Sequence, residues 1–326
     1  MSRLRVGIIG LGRMACGYDR PEGEVIQTHV KACLAHPGLE LAVISDRDLV
    51  QAAKVKSTWD LAASIVHPDE FPGSELDIVC ISSPRETHLP LLVQLSAAPP
   101  RLIFCEKPLA QSVADAREAV ARLDRGGCML AVNYLRRWIP GLAGWLREAR
   151  AGALGALLMA NATYSGGFWN NASHALDILA AALGDAAGDI RLAAPPIHDR
   201  GSEDPTLTLT FTLGGACVRL HGVDGRIATV FEVDMLFEKA RIRVWDCGGI
   251  RAQMDRLQPI EIDGYAPELV PTEHFLDAPP RLMAHVWANL ADHLSHNLRL
   301  AVDVHDTLGG IALQGRLATF NHNPSV

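Results

Sequence analysis

Arg5-Val6-Gly7-Ile8-Ile9-Gly10-Leu11-Gly12-Arg13-Met14-Ala15 stands almost at the start of the chain, and its reading decides the fold. Val6 to Ile9 have no polar face and predict a short strand buried on both sides. Gly10, Gly12 and Ala15 then give the spacing G-x-G-x-x-A where strand turns into helix. Gly10 permits the tight turn, Gly12 lets backbone approach a pyrophosphate, and Ala15 lets the helix pack closely on the strand. Arg13 and Met14 belong to the same turn, whose helix N-terminus offers free N–H groups and a positive dipole end to a phosphate. A Gly-rich turn also serves as a plain bend, so the residues that follow carry the decision.

Gly17-Tyr18-Asp19-Arg20-Pro21-Glu22-Gly23 is turn chemistry and predicts a break in the first helix. The helix is expected to resume near Thr28 and run to His36, and Leu39 to Ser45 predict a second strand that closes on Asp46-Arg47. The acidic residue that binds ribose hydroxyls normally lies roughly 20 residues past the glycines. Asp46 lies 31 past Ala15, and the inserted loop Tyr18–Gln27 accounts for the excess. A carboxylate there accepts bonds from both ribose hydroxyls and repels a 2′-phosphate, which favours NAD; Arg47 beside it keeps NADP open. Leu76 to Ser82 predict a further buried strand, followed by Ser83-Pro84-Arg85-Glu86-Thr87-His88 and a helix from Pro90 to near Pro99. Leu102 to Cys105 form the next strand and end in Glu106-Lys107-Pro108. Ser112 caps a helix that Gly126-Gly127 stop, and Cys128 to Val132 are strand-like again. Strand and helix alternate throughout, as in a parallel sheet with right-handed crossovers, whose ligands sit at the carboxyl ends of the strands. Asp46, Ser83 and Lys107 all fall there.

The second half reads differently. A helix is expected from Trp138 to Ala151. Strands follow at Ala156–Tyr164, Thr206–Leu213, Ala216–Gly222, Thr229–Glu238, Arg241–Trp245 and Ile250–Leu257. Thr206-Leu-Thr-Leu-Thr-Phe-Thr alternates polar and apolar, as a sheet buried on one side does. Gly264 to Pro280 is Pro-rich and reads as a loop or arm, and helices at Arg281–Asn297 and Val304–Thr319 close the pattern.

Composition excludes several classes. The net charge of −7, with no Lys/Arg run, argues against a nucleic-acid surface. Seven cysteines without a C-x-x-C pair suggest reduced thiols in a cytoplasmic protein. No apolar stretch approaches the ~20 residues of a membrane span, and the glycines at Gly10 and Gly12 interrupt any signal-like run. No metal site is expected: His285, Asp292, His293 and His296 share one helix, but their spacing does not bring enough ligands to one ion.

With Glu106-Lys107-Pro108 the chain comes to resemble the glucose-fructose oxidoreductase/inositol dehydrogenase/MocA family. The matching pieces are Gly10-x-Gly12-x-x-Ala15, Asp46, Ser83-Pro84-x-x-x-His88 and Glu106-Lys107-Pro108. Asn133-Tyr134-x-Arg136-Arg137-x-x-Pro140 and Gly166-Gly167-Phe168-Trp169-Asn170-Asn171-Ala172-Ser173-His174-Ala175-Leu176-Asp177 complete the set. The resemblance implies a Rossmann domain over 1–133, an α+β substrate and oligomerisation domain with a large open, mainly antiparallel sheet over 134–300, and a C-terminal helix over 301–326 that packs back on the Rossmann domain. It places Gly10, Gly12, Arg13, Met14, Asp46, Arg47, Ser83, Pro84, His88, Glu106 and Lys107 around the cofactor. It places Lys107, Arg137, Asn170 and His174 around the substrate, the Lys107–Pro108 bond being a candidate for the cis form.

The chemistry fits these roles. A lysine beside a positive nicotinamide ring, and partly desolvated, has its charged form disfavoured and can bind a hydroxyl or pass its proton. His174 exchanges protons near neutral pH. Many members carry an Asp four residues before this His, where the present chain has Asn170. Either Asn170, whose amide can orient an imidazole or bond a substrate, or Asp177, a carboxylate three residues after His174, is the replacement for that Asp. The resemblance therefore implies an NAD(P)-dependent oxidoreductase that moves a hydride between nicotinamide and a hydroxyl or keto carbon of a sugar-like molecule. It also implies a homodimer or homotetramer through the second sheet. A cofactor-binding sensor without turnover, and a redox-neutral lyase or glycosidase using transient oxidation, are the alternatives.

Overall fold

The computed structural model describes residues 3–110, 112–198, 203–246, 249–258, 268–276, 281–302 and 304–319, which fall into two compact units. In the first, β1 (Leu4–Ile9), β2 (Leu39–Ser45), β3 (Ser64–Val66), β4 (Ile78–Ile81), β5 (Leu102–Glu106) and β6 (Met129–Asn133) form one sheet in the order β3-β2-β1-β4-β5-β6. Every pairing in it is parallel. β4 and β5 are buried at every position, as strands covered on both faces must be. The covering helices are α1 (His29–Ala35), α2 (Leu49–Thr58), α3 (His88–Leu95) and α4 (Val113–Arg125). Asp48 caps α2 by accepting from the N–H groups of Val50 and Gln51, and Ser112 caps α4 by accepting from Asp115 N–H. The strand order reverses between β1 and β4, which puts a crevice at their carboxyl ends.

The second unit holds α5 (Leu142–Arg150), β7 (Leu157–Ser165), α6 (Ser173–Leu183) and seven further strands. These are β8 (Gly188–Ile197), β9 (Thr206–Leu213), β10 (Ala216–Val223), β11 (Phe231–Phe237), β12 (Ala240–Asp246), β13 (Ile250–Gln258) and β14 (Glu268–Leu276). Among the described residues they make an eight-stranded sheet, β14-β13-β12-β11-β7-β10-β9-β8, antiparallel except where β10 meets β7. The alternation in Thr206–Thr212 is realised: Leu207, Leu209 and Phe211 enter the core while Thr208, Thr210 and Thr212 stay half-buried. Each such buried Leu or Phe contributes about 1.5–3 kcal/mol.

The structure departs from the sequence reading in three places. Residues 268–276, read as loop or arm, form β14, an edge strand on β13, and Gly188–Ile197 form the unforeseen edge strand β8. Both carry proline (Pro271; Pro195 and Pro196), which an edge strand tolerates because one row of its N–H groups needs no partner. Between Asp46 and Leu76 the structure adds α2 and the three-residue strand β3.

The third departure concerns the last two helices. α7 (Leu282–His296) belongs to the first unit, where Met283, Val286, Trp287 and Leu290 enter the Rossmann core, whereas α8 (Val304–Ala318) belongs to the second. The expected assignment of 134–300 to one domain and 301–326 to the other is thus corrected. Leu313 and Leu317 of α8 lie in the second unit's core, and Gly310 allows the close approach: a Cβ there would stand 2.7 Å from Asp177 Cα.

Candidate functional site

β1 ends at Ile9, and Gly10 turns the chain with φ +88°. A Cβ on Gly10 would lie 2.4 Å from Ser83 N, so this glycine serves the close approach of the loop after β4 as well as the turn. Gly12 is different: a Cβ there would meet nothing within 4 Å. Its open side lies on the wall of a cleft. The helix expected here is one short, widely wound turn, Arg13–Gly17, closed by Cys16 N–H and Gly17 N–H on Gly12 O. A full helix begins only at His29, so local N–H groups rather than a long helix dipole face the turn. Cys16 Sγ lies 3.6 Å from Leu11 O, and burial, with the charge of Asp46 adding to it, pushes its thiol up to about 11. It is a packed thiol, not a nucleophile.

Asp46, just past β2, braces this turn: Oδ2 accepts from Leu11 N–H at 2.8 Å and Oδ1 from Asp48 N–H at 2.9 Å. Gly10, Gly12, Arg13, Met14, Asp46, Arg47, Ser83, Pro84, Glu106 and Lys107 all line one cleft of about 830 Å³ within the first unit. The chain positions named for the cofactor thus converge, with one exception. His88 is buried, its ring nitrogens set 2.8 Å from Pro108 O and 2.9 Å from Ser83 O, and it is absent from the cleft lining. It ties the loop after β4 to the loop after β5 and is corrected from cofactor contact to strut.

Glu106 ends β5, and the Lys107–Pro108 peptide that follows is cis. Glu106 Oε1 accepts from His29 Nε2 at 3.0 Å and from Asn133 Nδ2 at 2.6 Å, and Oε2 accepts from Lys107 N–H at 3.3 Å. Burial alone would raise this carboxyl; the hydrogen bonds from His29 and Asn133 and the charge of Lys107 outweigh it and hold it below its ordinary value. The sign of the pH effect follows. Stability from Glu106 is fully present above the unfolded value of about 4.5 and is lost as pH falls through the lower folded value. Glu106→Gln is expected to flatten the acid limb of stability below pH about 4.5, read from urea unfolding at stepped pH. An unchanged limb would contradict the assignment.

In the second unit, Phe168–Ala172 form a second widely wound turn that runs directly into α6. Asp204 accepts from Trp169 N–H at 2.8 Å and Asn170 N–H at 2.9 Å, and Gln314 of α8 donates to Phe168 O at 2.8 Å. Asn170 is exposed on this turn. His174 is buried on the first turn of α6, its ring edge-on to Phe231 at 6.4 Å between centroids. Asp177 is fully buried on α6, close to the α8 backbone at Gly310. Arg137, in the first unit, is also nearly enclosed, at 3% exposure. Asp204 and Gln314 were missed by sequence reading because they reach the turn from distant segments, without a local motif.

Residues 4–134 match the model of an oxidoreductase family with an NAD-binding Rossmann fold, named for glucose-fructose oxidoreductase, inositol dehydrogenase and MocA. Over those residues the chain is similar to this family. The rhizopine catabolism protein MocA of Rhizobium meliloti is 30% identical over 163 residues, covering 49% of this chain and 46% of that protein. The chain thus spans about half the length of that curated relative. Inositol 2-dehydrogenase 2 of Paenarthrobacter aurescens is 26% identical over 310 residues, 87% of this chain and 86% of that protein. An oxidoreductase from Agrobacterium radiobacter, solved in complex with NAD+, L-tartaric acid and magnesium, shares the fold with a TM-score of 0.70 at 18% identity, covering 99% and 98% of the two chains. The open side of Gly12 and the carboxylate of Asp46 fit the NAD that family domains of this kind bind. Among the described residues there is no group of His, Cys, Asp and Glu that could hold a metal ion, and no helix is long and apolar enough to cross a membrane.

Proposed function

We propose that this chain is a Gfo/Idh/MocA member and an NAD-dependent dehydrogenase acting on a CH–OH carbon of a polyol or sugar-like molecule. The observation that carries the reading is the placing of Lys107 and Glu106 at the end of β5 in the same cleft wall as Gly12 and Asp46. NAD, when bound, supplies the two-electron acceptor. The chain's own residues do the rest. Asp46 receives the ribose hydroxyls and disfavours a 2′-phosphate. Lys107 holds the reacting hydroxyl and exchanges its proton, with Glu106 setting the negative charge next to it. His174, on α6 directly after the turn that bears Asn170, is the second proton-handling group, while Arg137 contributes to substrate binding and Asp177 supports His174.

Myo-inositol is the first substrate to test, given the inositol 2-dehydrogenase relatives, followed by sugars, sugar phosphates and sugar nucleotides. The expected result is NAD+ reduction with at least one polyol or sugar, and weakening of NAD+ binding in Asp46→Ala by about tenfold or more in calorimetry. Cofactor binding without turnover across the whole panel would overturn the enzyme reading and favour a sensor. We also propose self-association through the sheet of the second unit, whose outer side presents paired charges at Asp234–Arg241 and Asp255–Arg243, checked by light scattering.

A further inference from the structure

Behind Glu106 lies a polar chain that the dehydrogenase reading does not use. His29 is completely buried at the start of α1, its ring edge-on to Phe104 at 5.5 Å and to Trp287 at 6.0 Å between centroids. Trp287 Nε1 lies 3.3 Å from His29 Nδ1, and His29 Nε2 lies 3.0 Å from Glu106 Oε1. An indole N–H only donates, so Nδ1 accepts and the ring proton sits on Nε2, aimed at the carboxylate. With Asn133 Nδ2 at 2.6 Å, two donors from different elements meet at Oε1. That leaves Oε2 on the side of Lys107, whose backbone N–H it accepts.

The chain around His29 is tied down as well. Asp19 Oδ2 accepts from Gln27 N–H, Thr28 N–H and the Thr28 hydroxyl at 2.8, 2.8 and 2.7 Å. Lys31 Nζ, mostly buried, donates to Arg20 O at 2.6 Å and Gly23 O at 3.0 Å. The inserted loop is thus anchored to the residue before His29 and to the residue two after it. Helix α7, 258 residues away in sequence, supplies the indole.

We infer that His29 is a positioning residue: held by Trp287 and by the inserted loop, it keeps the Glu106 carboxylate ionised and oriented beside Lys107. The inference rests on the dehydrogenase reading for its consequence in turnover, and on the hydrogen bonds alone for the relay itself. Packing alone would be satisfied by any side chain of similar volume; a relay requires the donor on Nε2. His29→Leu removes that donor and keeps an apolar filling. His29→Gln keeps an N–H at a comparable reach.

The test uses the full chain. Nitrogen-15 spectra of the imidazole are expected to show the Nε2–H tautomer for His29 in wild type. Carbon-13 titration is expected to place the Glu106 carboxyl below an ordinary glutamate in wild type and higher in His29→Leu. On a substrate found in the panel, His29→Leu is expected to lower kcat about 10- to 100-fold and to move the acid limb of its pH profile upward. KM and the Kd for NAD+ should stay within about threefold, and His29→Gln should recover most of the loss. An Nδ1–H tautomer, an unmoved Glu106 titration, or equal losses in both variants with an unmoved acid limb would overturn the inference. A wild type that turns over nothing in the panel would overturn the dehydrogenase reading instead, and the two spectroscopic readouts would still decide the relay.

Discussion

Replacing Lys107 with alanine is expected to lower kcat about 10²- to 10⁴-fold, the range of a lost proton-handling group, while NAD still binds. Lys107 follows the last residue of β5 and lines the cleft with Gly12, Asp46 and Ser83, so its loss leaves the Gly10–Gly12 turn and Asp46 in place. Calorimetric binding of NAD+ to the variant should therefore stay near wild type. Lys107→Arg keeps the charge but not the ability to give up a proton near neutral pH, and is expected to be nearly as inactive. Substantial activity in either variant would remove Lys107 from the chemistry. Loss of NAD+ binding in both would mean that its part is in holding the cofactor.

The second large effect is on the glycine turn, and it separates two residues that a motif treats alike. Gly10→Ala puts a Cβ 2.4 Å from Ser83 N, 2.5 Å from Ser83 Cα and 2.8 Å from Ser82 C, at a φ of +88°. These are backbone atoms of the neighbouring strand's loop and cannot swing aside, and the conformation itself costs an alanine about 1–2 kcal/mol. Together the loss of stability is expected to reach about 3 kcal/mol or more, lowering Tm by about 6–12 °C. Gly12→Ala meets nothing within 4 Å and should leave Tm unchanged, but it fills the space beside the turn and should weaken NAD+ binding about tenfold or more. Differential scanning calorimetry and binding titration on the pair decide it. Equal Tm losses in the two variants would contradict the distinct roles.

The legible part of the fold was the part written in local pattern. Continuous apolar runs such as Ile78–Ile81 and Leu102–Cys105 announce a sheet buried on both faces. The alternation of Thr206–Thr212 announces one buried on a single face. Among the strands not legible in the sequence, β8 and β14 are edges carrying proline, where the constraint that suppresses proline in a ladder is relaxed. At the site, the residues just after β1, β2, β4 and β5 converge because parallel strands deliver their carboxyl ends to one crevice. His88 failed to follow because its motif fixes its place in the chain, whereas two carbonyl oxygens, Ser83 O and Pro108 O, fix its side chain away from the cleft.

By itself the sequence determined the first sheet and the placing of the Gly10–Gly12 turn, Asp46 and Lys107 at its strand ends, where they line one cleft, since each depends on residues within a few positions of a strand end. Only the tertiary structure decided which unit takes α7 and which takes α8: an amphipathic pattern names the face a helix buries, not the core it joins. Only the tertiary structure set Trp287, His29 and Asn133 behind Glu106, and Asp204 and Gln314 around the turn that leads to His174. Hydrogen bonds between residues 27 to 258 positions apart leave no local trace in the chain, because their geometry exists only once the sheets have packed.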